Sequence, residues 1–171
     1  AGGSHKSRRH NLHLQILSAD NGELIKEVEV VPEDATYSYG FVESLVHKDL
    51  IYVIALMKNV LTPSSQSTRE LLSFDRSLNL LNRKLLENTD FSQLHPADEL
   101  VWLAGHKSAK VSMMTIDATL AFGAIATTDL PTDLVAFSIR PNGGIFSIHS
   151  KTGDRFNDLT YLYAHENGNR I

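Results

Sequence analysis

His95, Asp98, Glu99 and His106 gather around Trp102, the single tryptophan of the chain. Imidazole titrates near neutral pH, and a histidine–carboxylate set can bind zinc or move protons. The order of the residues argues against that use. His95 precedes Pro96 in a loop-like stretch. An extended strand between the two histidines, at ~3.3 Å per residue, would hold them about 30 Å apart. No His-Glu-x-x-His or other compact ligand spacing occurs, so no metal site is expected.

Other candidates fare no better as catalysts. Ser18, Ser73, Thr115 and Ser147 recur at one position of a repeated unit. No Gly-x-Ser-x-Gly elbow is present to activate one, and packing or turn hydrogen bonds account for them. Gly143-Gly144 and Lys151-Thr152-Gly153 lack the glycine, four-residue, Gly-Lys-Ser/Thr order of a phosphate loop and read as hairpin turns. His5, His10 and His13, with Lys6, Arg8 and Arg9, could meet a metal or phosphate, but read better as a solvated arm. Without cysteine, thiolate zinc sites, disulfides and a cysteine nucleophile are excluded. No catalytic set and no cofactor are expected. Of the aromatics with polar handles, Tyr37, Tyr39, Tyr52, Trp102, Tyr161 and Tyr163, the binding candidates are Trp102, Tyr161 and Tyr163, the last two sharing a strand face near the chain end. Such residues anchor interfaces. With His106 and Arg140 they form the candidate binding set.

These residues must be positioned by strands. Leu12, Leu14 and Ile16 alternate with more polar residues, and Leu24 to Val30 does likewise. Asp20-Asn21-Gly22-Glu23 between them predicts a hairpin. Leu50 to Leu56 reads as a strand buried on both faces, bounded by Asp49 and Lys58-Asn59. Similar runs follow Asp98-Glu99 and Thr132-Asp133. A second piece recurs too, an apolar stretch with Ser or Thr and then a turn, marked by Asp20, Asp75, Asp117 and Ser150. The marks are 55, 42 and 33 residues apart, and Val60 to Thr68 reads as an inserted loop in the first gap. Spacings of ~40–50 residues suit four-stranded propeller blades.

On these units, residues 11–162 resemble the β-propeller repeats of the quinoprotein-like, kelch and WD40 class. Gly143-Gly144 and Gly105-His106 echo the kelch and WD40 signatures; no Trp-Asp pair follows and no tryptophan docking motif repeats. The resemblance implies an all-β architecture of propeller-like repeated antiparallel hairpins, and it transfers no active site.

One segment permits a different fold. Ser67-Thr68-Arg69-Glu70 matches a capping box, and Leu71, Phe74, Leu78, Leu81 and Leu85 then fall at helical steps. Helix and hairpin both remain open for 67–88. The helix would make the chain α+β, an antiparallel sheet under one long helix.

The 171 residues suit one domain, with 42% hydrophobic and 21% charged residues. Residues 1–10 read as an appended remnant or flexible arm, and 11–171 as a single β-rich domain able to form part of a larger assembly. A net charge of −4 argues against a nucleic-acid partner. No apolar run reaches the ~18–20 residues of a membrane span. The composition fixes no compartment. The expected function is a protein-interaction platform or scaffold, with a protein partner or self-association closing its open edges. The rival is a ligand-binding or enzymatic α+β domain with a site near Trp102, His106 and Arg140.

Overall fold

The computed structural model describes residues 10–62, 64, 66–87, 90–107, 110–129, 134–150, 159–166 and 169–170. Among the described residues fourteen strands follow one another: β1 (Leu12–Leu17), β2 (Leu24–Val30), β3 (Tyr37–His47), β4 (Leu50–Asn59), β5 (Thr68–Asp75), β6 (Leu80–Leu86), β7 (Phe91–Pro96), β8 (Val101–Lys107), β9 (Lys110–Ile116), β10 (Ala126–Asp129), β11 (Leu134–Ile139), β12 (Ile145–Ser150), β13 (Leu159–Glu166) and β14 (Asn169–Arg170). The protein is all-β, with no helix among the described residues. β1 and β2 form a two-stranded hairpin. Three open four-stranded sheets follow in strict chain order: β3-β4-β5-β6, β7-β8-β9-β10 and β11-β12-β13-β14. Every strand pairing is antiparallel.

Alternating side chains explain how the sheets stack. In β4, Tyr52 and Ile54 face one way and Val53, Ala55 and Met57 the other. The first pair joins Leu71, Phe91, Leu94, Val101, Leu103, Met114 and Ile116 in the core between the β3–β6 and β7–β10 sheets. The second set joins Leu12, Val30, Leu72 and Phe74, the core beneath the β1–β2 hairpin. Ala104 and Val111 face the opposite way from Leu103 and Met114 and meet Phe137, Ile139 and Ile145 of the last sheet. Hairpin and sheets thus lie face to face in chain order, and both middle sheets bury two faces. The expectation that Leu50 to Leu56 is buried on both faces holds for Val53, Ile54 and Ala55.

The helical alternative for 67–88 is overturned. β5 pairs with β4 from Leu50–Asp75 to Met57–Thr68, and with β6 from Arg69–Leu86 to Phe74–Leu80. A helix would have buried Leu81 and Leu85 with Leu71; instead both are exposed. Adjacent Leu71 and Leu72 fill different cores, a demand that only strand geometry meets. Tertiary packing overrides the helical propensity.

The turns refine the repeat. Asp75 and Asp117 head matching five-residue turns. The Asp75 N–H donates to the Asn79 carbonyl at 3.1 Å and the Leu78 N–H to the Asp75 carbonyl at 3.0 Å. In the second turn Asp117 N–H reaches Ala121 at 3.3 Å and Leu120 N–H reaches Asp117 at 3.0 Å. In the first hairpin the closing donor is Ser18, to Glu23 at 2.8 Å, so the turn is longer and the mark falls at Ser18 rather than Asp20. Only Gly22 of the Asn-Gly pair takes a positive φ, 73°. The fourth mark slips by a strand. Asp75 ends one third strand and Asp117 directly follows another, whereas Ser150 ends β12, the second strand of its sheet. Likewise Leu134 opens a first strand, although its counterparts after Asp49 and Asp98-Glu99 lead second strands.

Residues 1–9, Lys151-Thr152-Gly153 and Asn167-Gly168 lie outside the described residues. At the boundary of the expected arm, the His10 carbonyl accepts the Tyr39 N–H at 2.8 Å.

Candidate functional site

Trp102 lies on β8, directly opposite His95 of β7. It is half-buried where the last two sheets meet, and its Nε1–H donates to the Pro141 carbonyl at 3.2 Å. A Cβ added at Gly143, whose φ is +86°, would stand 3.2 Å from the indole Cζ2. The indole is therefore seated against the β11–β12 turn. Arg140, at the start of that turn, stacks its guanidinium over the Phe146 ring, 3.9 Å from its centroid. Both polar handles are engaged within the fold.

The two histidines are brought together after all. The β7–β8 hairpin folds the chain back, and both imidazoles contact the Phe137 ring, His95 at 6.0 Å and His106 at 5.8 Å between centroids. The 30 Å separation expected for an extended chain does not arise. His95 Nε2 lies 3.2 Å from Gln93 Oε1, an acceptor only, so the imidazole donates there from its Nε2–H tautomer. Burial pushes its pKa below the ordinary value, and the Glu43 carboxylate of β3 opposes that shift. Asp98 and Glu99 do not complete a ligand set: Glu99 pairs instead with Lys48. Among the described residues no group of three or more His, Asp or Glu could hold a metal.

Tyr163 stands opposite Ser147 and Tyr161 opposite His149 in the β12–β13 register. Their side chains lie outside the described residues. His13 belongs to β1, where its Nδ1 lies 3.2 Å from Glu27 and its Nε2 3.8 Å from Glu29.

A second location was not anticipated. A cleft of about 310 Å³ runs between β1 and β3, lined by Leu12, Leu14, Phe41, Val46, Ile51 and Val53 with Ser44 beside them. The two-stranded hairpin covers β4, β5 and the Tyr37–Tyr39 end of β3 on the neighbouring four-stranded face, and leaves the Phe41–Val46 part of β3 bare. Phe41 is 64% and Val46 65% exposed, whereas Val53 beneath the hairpin is 2% exposed. The run Tyr37, Tyr39, Phe41 alternates visibly in the sequence. A β-bulge between Phe41 and Glu43 then reverses the parity, so odd-numbered Phe41 and even-numbered Val46 share one face. That switch hid the strip.

At the edge of this face lies a buried polar network. The Tyr39 hydroxyl donates to Glu70, and Arg83 Nη1 donates to the Tyr39 oxygen at 3.2 Å and to the Val31 carbonyl at 2.9 Å. Burial first, and the Glu70 carboxylate second, raise the Tyr39 pKa far above that of a free phenol. The phenol stays protonated and serves as a fixed donor. This network ties β3, β5 and β6 to the β2–β3 connection, and it leaves Glu70 paired rather than free to act as a base.

Compared with known proteins, the chain matches no family model, no curated protein and no solved structure.

Proposed function

We propose that this chain is a protein-interaction scaffold, an arc of propeller-like blades whose contact surface is the cleft between β1 and β3. The observation that carries the reading is the exposed Phe41–Val46 strip, continuous with a buried core. Large apolar side chains in a contiguous patch mark interaction sites, whereas scattered ones do not. Three consecutive four-stranded meanders, stacked face to face, support the blade description, as does the turn shared by Asp75 and Asp117. The residues around Trp102 and Arg140 serve this reading as a junction between sheets, since their polar groups already have partners within the chain.

The test places a photo-crosslinking side chain at Phe41 or Val46 and, as control, at exposed Glu23. Crosslinks to other polypeptides should concentrate at the two strip positions. Equal yields at all three positions would overturn the proposal.

A further inference from the structure

The cleft has one hydrogen-bonding wall as well as apolar ones. β1 pairs with β2 and, among the described residues, its second edge has no strand partner. The strands that precede the matching Asp75 and Asp117 turns are β5 and β9. Each is third in its sheet and paired on both sides, β5 between β4 and β6, β9 between β8 and β10. By that repetition, the second edge of β1 is where its sheet would continue.

The bare strip lies beside that edge. Leu12, Leu14, Ile51 and Val53 belong both to the cleft lining and to the core under the hairpin, so the cleft continues an interface already formed. β3 also shows what covers such a strand, because on its other face Val42 and Leu45 pack against the core that contains Phe91 and Leu94 of β7. A strand covers a strand there. We infer that the β1–β3 cleft takes up an extended segment of a partner polypeptide by strand addition, an inference that rests on the interaction reading above.

The recognition chemistry follows from the two faces such a strand would present. Its main chain pairs with β1, and alternate side chains enter the cleft over Phe41, Val46 and Ile51. Those inward positions require aliphatic residues. The outward positions continue the solvent face of the hairpin, where Glu27 and Glu29 place two carboxylates around the single imidazole of His13. Strands two apart in a sheet are separated by ~10 Å, within reach of long basic side chains. The partner segment therefore alternates aliphatic and basic residues.

The probe is a synthetic octapeptide alternating valine with lysine and arginine, set against one of the same composition with its valines grouped together. Hydrogen exchange of the whole chain is followed with millimolar peptide. The alternating peptide should slow exchange at Leu12–Leu17 by tenfold or more, and the grouped peptide should not. An alternating valine–glutamate peptide should protect less than the basic one. Phe41→Ser combined with Val46→Ser removes only exposed side chains, so the fold is retained while protection falls at least tenfold. Equal protection by both basic peptides, or protection that survives the double substitution, would overturn strand addition. So would sedimentation showing that the free chain already dimerises through the strip, since a second copy would then be its occupant. If crosslinks at Phe41 and Val46 capture a protein but no peptide protects β1, the surface reading stands and strand addition fails. Absence of both ends both.

Discussion

Leu78 and Leu120 occupy the same place in two copies of one turn, at φ 60° and 61°, three residues after Asp75 and Asp117. The left-handed region usually takes glycine, because a Cβ there costs an L-residue ~1–2 kcal/mol. Both leucines are nonetheless buried, Leu120 within the core between the two middle sheets. The aspartate above each holds the turn: Asp75 Oδ1 accepts the Ser77 and Asn79 N–H groups at 2.8 and 2.9 Å. Asp117 Oδ1 accepts those of Thr119 and Ala121 at 2.8 and 2.9 Å. Backbone strain is tolerated at these turns because core burial offsets it.

A sign reversal follows at Leu120. Leu120→Ala removes the side chain but keeps the strained φ, and should cost about 3–5 kcal/mol. Leu120→Gly removes the same packing and relieves the strain. It should be the more stable of the two by up to ~1 kcal/mol, the reverse of the usual order inside a strand. Denaturant midpoints of the two variants decide the matter, and alanine above glycine would disprove the conformational account.

At Gly105 the constraint is steric. The residue pairs with Phe91 across β7–β8, and a Cβ there would lie 2.0 Å from the Asp90 carbonyl oxygen. Backbone must move to admit any side chain. Gly105→Ala should therefore cost more than ~2 kcal/mol, a backbone effect out of proportion to one methyl group. Gly40→Ala is the matched control, since its nearest neighbours, atoms of Leu56, stand at ordinary contact distances of 3.8 and 3.9 Å. Thermal unfolding should separate them clearly.

The sequence foreshadowed the strands more readily than their order. Period-two alternation and the Asn21-Gly22 step placed the first hairpin, and the β-branched run after Asp49 placed β4. The 67–88 segment stayed ambiguous because Leu71, Phe74, Leu78, Leu81 and Leu85 satisfy a helical period by spacing alone. What decides against the helix is pairing with β4, a contact no local pattern encodes. Spacing of the marks carried a trace of the slip in the last sheet: 42 residues between Asp75 and Asp117, but 33 from there to Ser150. The Trp102 neighbourhood was legible as a cluster, yet its engagement by Pro141 depends on a turn 39 residues away. The Phe41–Val46 strip was not legible, because the bulge breaks the alternation that would have joined its members.

Trp102 carries a prediction about the junction of the last two sheets. Trp102→Ala should destabilise the protein by about 2–3 kcal/mol, below the ~3–5 kcal/mol of a fully buried aromatic, because the indole is only half-buried. Its fluorescence should be partly accessible to iodide. Full shielding or free quenching would each contradict the placement against Gly143 and Pro141.

His95 makes stability depend on mild acid. Its imidazole is packed against Phe137, beside Gln93 and across from Trp102, with the Glu43 carboxylate opposing its neutral form. Burial is the larger influence, so the folded-state pKa lies below the ordinary 6.5. As pH falls through 6.5, the unfolded chain takes up a proton at this residue before the folded one does. The contribution of neutral His95 is thus complete above pH 6.5, declines as the pH drops below it, and stops changing once the folded-state pKa is passed. His95→Gln cannot titrate and should lack this part of the decline. Denaturant midpoints measured from pH 7.5 to 5 for both proteins isolate the difference. The wild type should lose more stability than the variant over that interval. A wild type that gains relative to the variant on acidification would mean that Glu43 dominates, and that His95 is held as a cation rather than as a buried neutral ring.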